Sequence, residues 1–235
     1  MKPIPLTKSP IEWFKEESKH DFAQGWQRSK QALEPYLVII DHRTGRFSQP
    51  VLKKNEELLS TDERERLNHY RFVDDKRNYL ERTALLRVLL GIAVDHEASN
   101  ISFSRNRYGK PYVNTQETIE FNTSHSKGLT LIGIHPELSI GVDIEKINSN
   151  IKWQSIAERW FPGEITSELK SMAKDQQIEE FFSLWCKFEA VLKCQGTGLT
   201  NLQNSNTLLK EAETSACSID TPKDFKAAIA LGDKS

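Results

Sequence analysis

One long amphipathic segment constrains the fold of this chain more than any other feature. Residues 177–194 place apolar side chains at helical spacing, and Gly196 and Gly198 follow the segment. This apolar stripe consists of Phe181, Leu184, Phe188, Val191 and Leu192. Because a helix with one apolar face must be covered by another layer, the sequence predicts a long helix packed on a sheet.

The rest of the chain supplies further strands and helices. Short β-branched or alternating runs predict strands at residues 36–41, 101–104, 120–122, 129–134 and 139–145, and the segment DFKAAIAL predicts one more near the C-terminus. Ser60 and Glu63 have the spacing of a capping box that opens a helix to about Tyr70. Asp74 is the expected cap of a long helix that runs to about Gly91, and residues 151–161 are expected to be helical up to Pro162.

Strands and a long helix therefore occur in the first half and again in the second. This order predicts an α+β fold with two lobes, divided into residues 1–137 and 138–235. Residues 1–35 are polar and mixed, with Trp13 and Trp26 as isolated apolar anchors.

Charge and cysteine content limit the classes of partner and compartment. The 235 residues carry 32 Lys plus Arg against 33 Asp plus Glu, which favours neither nucleic acid nor membrane. Three cysteines without a CxxC pair indicate a reducing compartment, and no run approaches the roughly 20 apolar residues of a membrane span. A cytoplasmic protein is expected. Phosphate-loop, dinucleotide and serine-elbow motifs are absent from the sequence.

Two carboxylates in the strand at 139–145 have the spacing of a site. Asp143 and Glu145 are two residues apart, so both side chains point to the same face of a strand. A solvent face of an edge strand is the alternative. On the long helix, Glu189 and Lys193 are four residues apart on one flank of the stripe, where an ordinary surface ion pair is the alternative.

If that helix flank faces the strand, the three carboxylates form one cluster. Oxygen ligands without histidine or thiolate suit Mg²⁺, which also binds substrate phosphates. Lys193 would then lie opposite a phosphate oxygen as a point charge. Such a site suits chemistry on a pyrophosphate bond, where positioning and charge neutralisation do most of the work.

These residues resemble a known signature. The stretches Ile140-Gly141-Val142-Asp143 and Trp185-Cys186-Lys187-Phe188-Glu189-Ala190-Val191-Leu192-Lys193 resemble the two-part motif of surfactin-synthetase-type 4′-phosphopantetheinyl transferases. The 41 residues between Asp143 and Trp185 fall within the family's spacing.

Further segments between about residues 60 and 200 agree with this resemblance. They are Tyr108-Gly109-Lys110-Pro111, similar to the family's YGKP loop, Phe121-Asn122-Thr123-Ser124-His125-Ser126, similar to its FNxSHS segment, Glu81-Arg82-Thr83, similar to an HRT-like stretch, and Arg159-Trp160-Phe161. Arg64 and Arg66 fall where the family carries further basic residues, although a plain surface role stays open for both.

The resemblance implies a specific enzyme. Two similar lobes in one chain, related by a pseudo-two-fold axis and each a small, mostly antiparallel sheet on a long helix, would hold coenzyme A in the cleft between them. The N-terminal lobe would supply most coenzyme A contacts, and the C-terminal lobe the Mg²⁺ site and the catalytic helix. The protein would transfer 4′-phosphopantetheine to a serine of an apo acyl or peptidyl carrier protein and release 3′,5′-ADP, and a monomer is expected.

The resemblance also implies residue roles. Asp143, Glu145 and Glu189 would bind Mg²⁺, and Glu189, Lys193 and Asp143 would be catalytic, with Glu189 able to deprotonate the acceptor serine. The implied coenzyme A contacts are Arg82, Tyr108, Gly109, Lys110, Pro111, Ser124, His125 and Lys193.

One residue departs from the family pattern. Phe188 stands where the family usually has lysine before the glutamate, and the apolar stripe predicts that Phe188 joins the core. Two alternatives to the transferase stay open. One is another Mg²⁺-dependent enzyme that hydrolyses the pyrophosphate of coenzyme A or a nucleotide. The other is an inactive homologue that binds coenzyme A.

Overall fold

Two small sheets, each covered by a long helix, organise the chain in a computed structural model that describes residues 6–44, 49–196 and 215–233. The strands are β1 Leu6–Lys8, β2 Tyr36–Asp41, β3 Phe103–Arg105, β4 Pro111–Val113, β5 Glu120–Ser126, β6 Leu129–His135, β7 Ser139–Lys146, β8 Ala216–Ile219 and β9 Phe225–Gly232. The helices are α1 Pro10–Trp13, α2 Glu16–Ala32, α3 Gln49–Glu57, α4 Thr61–Asn68, α5 Val73–Val94, α6 Trp153–Trp160, α7 Gly163–Ser171 and α8 Lys174–Gln195.

The N-terminal lobe is built on a sheet in the order β1-β2-β6-β5. The pair β1 and β2 is parallel, whereas β6 is antiparallel to both β2 and β5. A separate hairpin of β3 and β4 lies between α5 and β5 in the chain. The C-terminal lobe has an antiparallel sheet in the order β7-β9-β8.

The two sheets pack face to face between their helices. Alternate residues of β2 illustrate the arrangement, because Val38 belongs to the core with α5 and α2, while Ile39 belongs to the core with β7 and β9. On the outer face of the second sheet, Ala228 and Ala230 pack against Ala190 and Val191 of α8. The layers are therefore helix, sheet, sheet and helix, and the predicted two-lobed α+β fold is confirmed.

Several predicted elements agree closely with the structure. The strand at Tyr36–Asp41 has the predicted bounds, and the Ser60–Glu63 capping box is present at the start of α4. The helix predicted at 177–194 is α8, whose αL cap is Gly196. Gly198 and the other residues of 197–214 lie outside the described residues.

One prediction about local structure was wrong, and one segment holds more structure than the sequence indicated. The cap of α5 is Phe72 rather than Asp74, which instead lies in the first turn, where a carboxylate interacts well with the helix dipole. The segment before Tyr36, for which no element was predicted, contains α2, and its expected anchors Trp13 and Trp26 are buried. Their indole N–H groups donate to the carbonyls of Ile39 and Ala93, both at 3.1 Å.

The helices and the cysteines were also compared with what membrane spans and disulfides require. In the described ranges, no helix is long and apolar enough to cross a membrane. Cys186, Cys194 and Cys217 are free thiols, of which the first two are buried. The expected cytoplasmic location stays a prediction, and so does the domain division at residues 137 and 138.

Candidate active site

Strands β5 and β7, one from each lobe, lie side by side and form what we call the β5–β7 seam. Side chains of β5 replace the usual ladder: Asn122 Oδ1 accepts from the Val142 N–H at 3.0 Å, and Ser126 Oγ accepts from the Lys146 N–H at 3.1 Å. Asn122 pairs with Val142 and Ser126 with Lys146, so residue numbers increase in the same direction along both strands, and the two strands are parallel. The seam joins the NTSHS segment directly to the Asp143 strand.

Gly141 allows α8 to lie directly on β7. A Cβ at this position would lie 1.9 Å from the Ala190 carbonyl oxygen and 2.3 Å from the Cys194 nitrogen, both backbone atoms. No side chain fits there, so glycine is required for this close approach. The face of β7 that carries Gly141, Asp143 and Glu145 therefore faces α8, and the structure brings Asp143 close to Lys193.

Asp143 is the central residue of this junction. Its side chain is almost completely buried, and Oδ1 accepts from Lys193 Nζ at 2.6 Å and from Ser124 Oγ at 2.8 Å. Lys193 Nζ also donates to Ser124 Oγ at 3.0 Å. By hydrogen-bond geometry the second oxygen, Oδ2, is buried without a donor, and the buried thiol of Cys186 interacts with the same carboxylate. A solvent-facing edge strand is therefore the wrong interpretation for Asp143, and the ion pair of Lys193 crosses to another element.

Two further carboxylates are crowded by the charge of Asp143. Burial, and then the neighbouring Asp143 charge, raises the pKa of Glu189. The pKa of Glu145 is also raised, mainly by burial, although Ser126 Oγ donates to Glu145 Oε2 at 2.7 Å. Carboxylates that repel each other in a partly dry site are stabilised by a cation between them. The site thus contains more negative charge than Lys193 alone offsets.

The carboxylates suit a hard cation but are not a closed cage. Within the parts of the chain that the structure describes, no three or more His, Cys, Asp or Glu side chains are already grouped for a metal ion. Mg²⁺ usually binds one or two carboxylates together with substrate phosphates and waters, so an open carboxylate set fits it. The strongest sign that a further positive group belongs here is the charge balance, because the Lys193 ammonium faces Asp143 while the pKa values of Glu145 and Glu189 are both raised.

A cleft beside the seam carries cations on its walls. Its volume is about 720 Å³, and its lining includes Arg66, Arg82, Ser124 and His125. Burial lowers the pKa of Arg82, whose guanidinium donates to the Tyr70 hydroxyl at 3.2 Å. Burial, and then the charge of Arg82, lowers the pKa of His125, with smaller contributions from the charges of Lys193 and Arg66. Desolvated positive charges that repel one another are stabilised by a bound anion.

Comparison with known proteins matches both lobes to one superfamily. A family model described as the 4′-phosphopantetheinyl transferase superfamily matches residues 139–232, and one described as 4′-phosphopantetheinyl transferase, N-terminal, matches residues 47–137. The 4′-phosphopantetheinyl transferase HetI of Nostoc sp. is 30% identical over 188 residues, which cover 76% of this chain and 79% of the relative. The chain belongs to the 4′-phosphopantetheinyl transferase superfamily.

Other relatives of this transferase have similar identity. The enzyme Sfp of Bacillus subtilis is 31% identical over 168 residues, which are 72% of each chain. The transferase gsp of Aneurinibacillus migulanus is 34% identical over 170 residues, 71% of this chain and 67% of the relative. The predicted family and the prediction of a transferase enzyme are confirmed, whereas the roles of individual residues stay predictions.

The YGKP loop of the transferase is placed differently from the other predicted coenzyme A contacts. Pro111 lines the cleft, but Tyr108, Gly109 and Lys110 are not among its lining residues. Tyr108 is exposed, and Gly109 has a positive φ of 91° at the tip of the loop. Lys110 Nζ donates to groups at the start of β7 and the end of α8. The structure therefore brings Arg82, Pro111, Ser124 and His125 together and leaves the loop tip outside.

Phe188 occupies the position predicted from the helical stripe. It is fully buried, and its ring lies 6.1 Å from the ring of Phe161 and 5.9 Å from that of Trp185. Where the family usually has a charged lysine, this chain therefore has an apolar side chain that packs in the core. It leaves Asp143 and Lys193 in contact.

Sequence reasoning missed one cation of the cleft and left the role of another open. The missed cation is Arg105, the last residue of β3, which lines the cleft. Arg66 of α4, for which a surface role had stayed open, lines it too. Arg66 also stacks on Tyr79, whereas Arg64 turns away to the Leu59 carbonyl. The sequence did contain a signal for Arg66: Glu63 and Arg66 are three residues apart in the helix that begins after Ser60, so both side chains lie on the same face of α4.

Proposed function

We propose that this transferase moves the 4′-phosphopantetheine arm of coenzyme A to a serine of an apo acyl or peptidyl carrier protein, in a Mg²⁺-dependent reaction. The observation that carries this proposal is the meeting of two unbalanced charge groups. The charges of Arg82, Lys193 and Arg66 act together on His125, and three neighbouring carboxylates share the ammonium of Lys193. A pyrophosphate with its metal ion satisfies both groups at once.

The cations support the binding of coenzyme A phosphates. Arg82 and Arg66 line the cleft, and their charges, together with burial and that of Lys193, lower the pKa of His125. A charge-assisted hydrogen bond to phosphate contributes more than a neutral one, and a desolvated guanidinium gains most from it. We assign the phosphates of coenzyme A to this wall, with Ser124 and Pro111 beside them.

The metal ligands we propose are Asp143, Glu145 and Glu189. When bound, Mg²⁺ would neutralise the charge of the phosphates and stabilise the leaving group. Lys193 is already held at the junction by Asp143 and Ser124, so its charge is fixed next to the place where the pyrophosphate would lie. Such prepositioned charge costs little reorganisation during the reaction.

The transfer itself needs a base and a positioned acceptor. The serine oxygen of the carrier attacks the phosphorus that bears the pantetheine arm, and the bond to the bridging oxygen breaks, which releases 3′,5′-ADP. Glu189 accepts the serine proton. Its raised pKa makes it a stronger base than an exposed carboxylate. Because β5 of one lobe and β7 of the other complete the site within one chain, we propose that a monomer is active.

A carrier assay tests the proposal. The purified protein is incubated with coenzyme A, Mg²⁺ and a panel of apo fatty-acid, polyketide and peptide-synthetase carriers, and carrier mass is followed. We expect addition of one phosphopantetheine arm, its loss with a chelator, and its loss in Glu189→Gln but not in the surface variant Lys170→Met. Release of 3′,5′-ADP without an acceptor would instead identify a hydrolase, and binding of coenzyme A without turnover on any carrier would identify an inactive homologue.

A further inference from the structure

The loop between β3 and β4 is clasped to the end of the catalytic helix. Asn106 Oδ1 accepts from the backbone N–H groups of Tyr108 and Lys110, both at 2.9 Å, which fixes the shape of the loop. The same side chain donates from Nδ2 to the Gly196 carbonyl at 3.5 Å. The loop thereby reaches from the N-terminal lobe to the last turn of α8.

Lys110 makes the strongest contacts of this clasp. Its ammonium donates to Ser139 Oγ at 2.9 Å, to the Ile140 carbonyl at 3.2 Å and to the Cys194 carbonyl at 3.0 Å. Glu120 Oε2 lies further away, at 4.0 Å. An ammonium has three N–H donors, so these acceptors use all of them. The side chain is only 12% exposed, and it has no donor left for a phosphate of a ligand.

The acceptors of Lys110 belong to the two elements that carry the site. Cys194 follows Lys193 directly, and its carbonyl is one of the last four of α8, which lack partners within the helix. A cation near a helix C-terminus is favourable because it balances those carbonyls. Ser139 begins β7, four residues before Asp143, and its hydroxyl also donates to the Cys194 carbonyl at 2.6 Å.

We propose that Lys110 is a positioning residue that holds the end of α8 against the start of β7, and so sets the contact between Lys193 and Asp143. This assignment replaces the ligand contact that the YGKP resemblance implies for the Lys110 side chain. It rests on the proposed function for its kinetic consequences, but the clasp itself is a property of the fold.

A kinetic test separates positioning from ligand binding. Lys110→Met keeps most of the side-chain length and removes the donors, and Lys170→Met is the matched control on an exposed ion pair. We expect Lys110→Met to lower kcat about 10- to 100-fold, with KM for coenzyme A changed by less than about twofold. A raised KM with unchanged kcat would show a ligand contact and overturn the proposal, as would no change in either constant.

A double variant tests whether Lys110 acts through Lys193. If it does, Lys110→Met combined with Lys193→Met should be no slower than Lys193→Met alone, within about twofold. Multiplied effects would mean a general structural role and would refute the positioning role. Ser139→Ala, which removes an acceptor of the same clasp, should lower kcat in the same direction.

Amide hydrogen exchange tests the clasp without any turnover. The N–H of Gly196, which donates to the Leu192 carbonyl at 3.0 Å, reports on the last turn of α8. Lys110→Met should speed exchange there by at least about tenfold and leave α5 unchanged. If the unmodified protein transfers no arm but exchange responds, the proposed function fails and the clasp stands. If exchange does not respond, the clasp is refuted.

Discussion

Replacing Gly141 with alanine should push α8 away from β7. The new Cβ would lie 1.9 Å from the Ala190 carbonyl oxygen, and real Cβ contacts stay beyond 3.0 Å, so α8 must retreat by about 1.1 Å. Lys193 belongs to α8, and its Nζ lies 2.6 Å from Asp143 Oδ1. The same displacement of α8 would lengthen this distance to about 3.7 Å, beyond hydrogen-bond range. A misplacement of about 1 Å at a reacting centre costs on the order of 100-fold in rate.

The assay compares initial rates of phosphopantetheine transfer with thermal unfolding. We expect Gly141→Ala to lower kcat/KM about 100-fold and to destabilise the fold by roughly 1–3 kcal/mol from overpacking. Gly163→Ala is the matched control, because nothing lies within 4 Å of its added Cβ, and it should change neither quantity adversely. Rates and melting temperature equal to those of the unmodified protein in Gly141→Ala would refute the close approach of α8 and β7.

Three more variants test the charges around the site. The pKa of Glu189 is raised above its ordinary value of 4.5, so the ionised side chain lowers the stability of the fold at neutral pH. Glu189→Gln should therefore abolish transfer yet stabilise the fold by roughly 0.5–2 kcal/mol near pH 7, and this gain should vanish below pH 4.5. Equal gains at both pH values would contradict this prediction. Arg82→Met should weaken coenzyme A binding about 10- to 100-fold by calorimetry without loss of stability, and unchanged affinity would place the phosphates elsewhere. The carboxylate of Glu81 is buried and lies 2.8 Å from His42 Nδ1 and 3.6 Å from Arg77 Nε. Glu81→Ala should therefore lower the free energy of unfolding, measured in urea, by about 3–5 kcal/mol. A loss below about 1 kcal/mol would show that the buried pair contributes little to stability.

Local patterns were enough to predict the parts of the site that lie on one element. The period of two along β7 put Asp143 and Glu145 on one face, and the helical stripe of α8 put Phe188 in the core. Both predictions depend only on backbone geometry, which neighbouring residues share. The resemblance to known motifs then supplied the family, which the comparisons confirm.

Contacts between distant segments could not be predicted in this way. Phe22 and Trp26 are four residues apart and face the same core, yet the charged sequence of α2 gives a weak apolar stripe, since its stability comes from packing on α5 and β2. The Lys110 clasp joins residues 84 positions apart, from Lys110 to Cys194, and no local pattern records such a pair. The choice between a surface role and a place in the cleft for Arg66 also depends on a distant contact, since Glu63 of the same helix pairs with Arg87 of α5 at 2.7 Å.

Strand β2 is an inner strand of its sheet, and it lies before the part of the chain that the family models match. The family matches begin at residue 47, but β2 is hydrogen-bonded to β1 on one side and to β6 on the other, and Trp13 is tied to it. A chain cut at the family boundary would leave β6 with a bare edge and the core of α5 open to water. The family models therefore match less of the chain than its first sheet and core contain, and the described residues of β1, α1, α2 and β2 complete the lobe that carries β5.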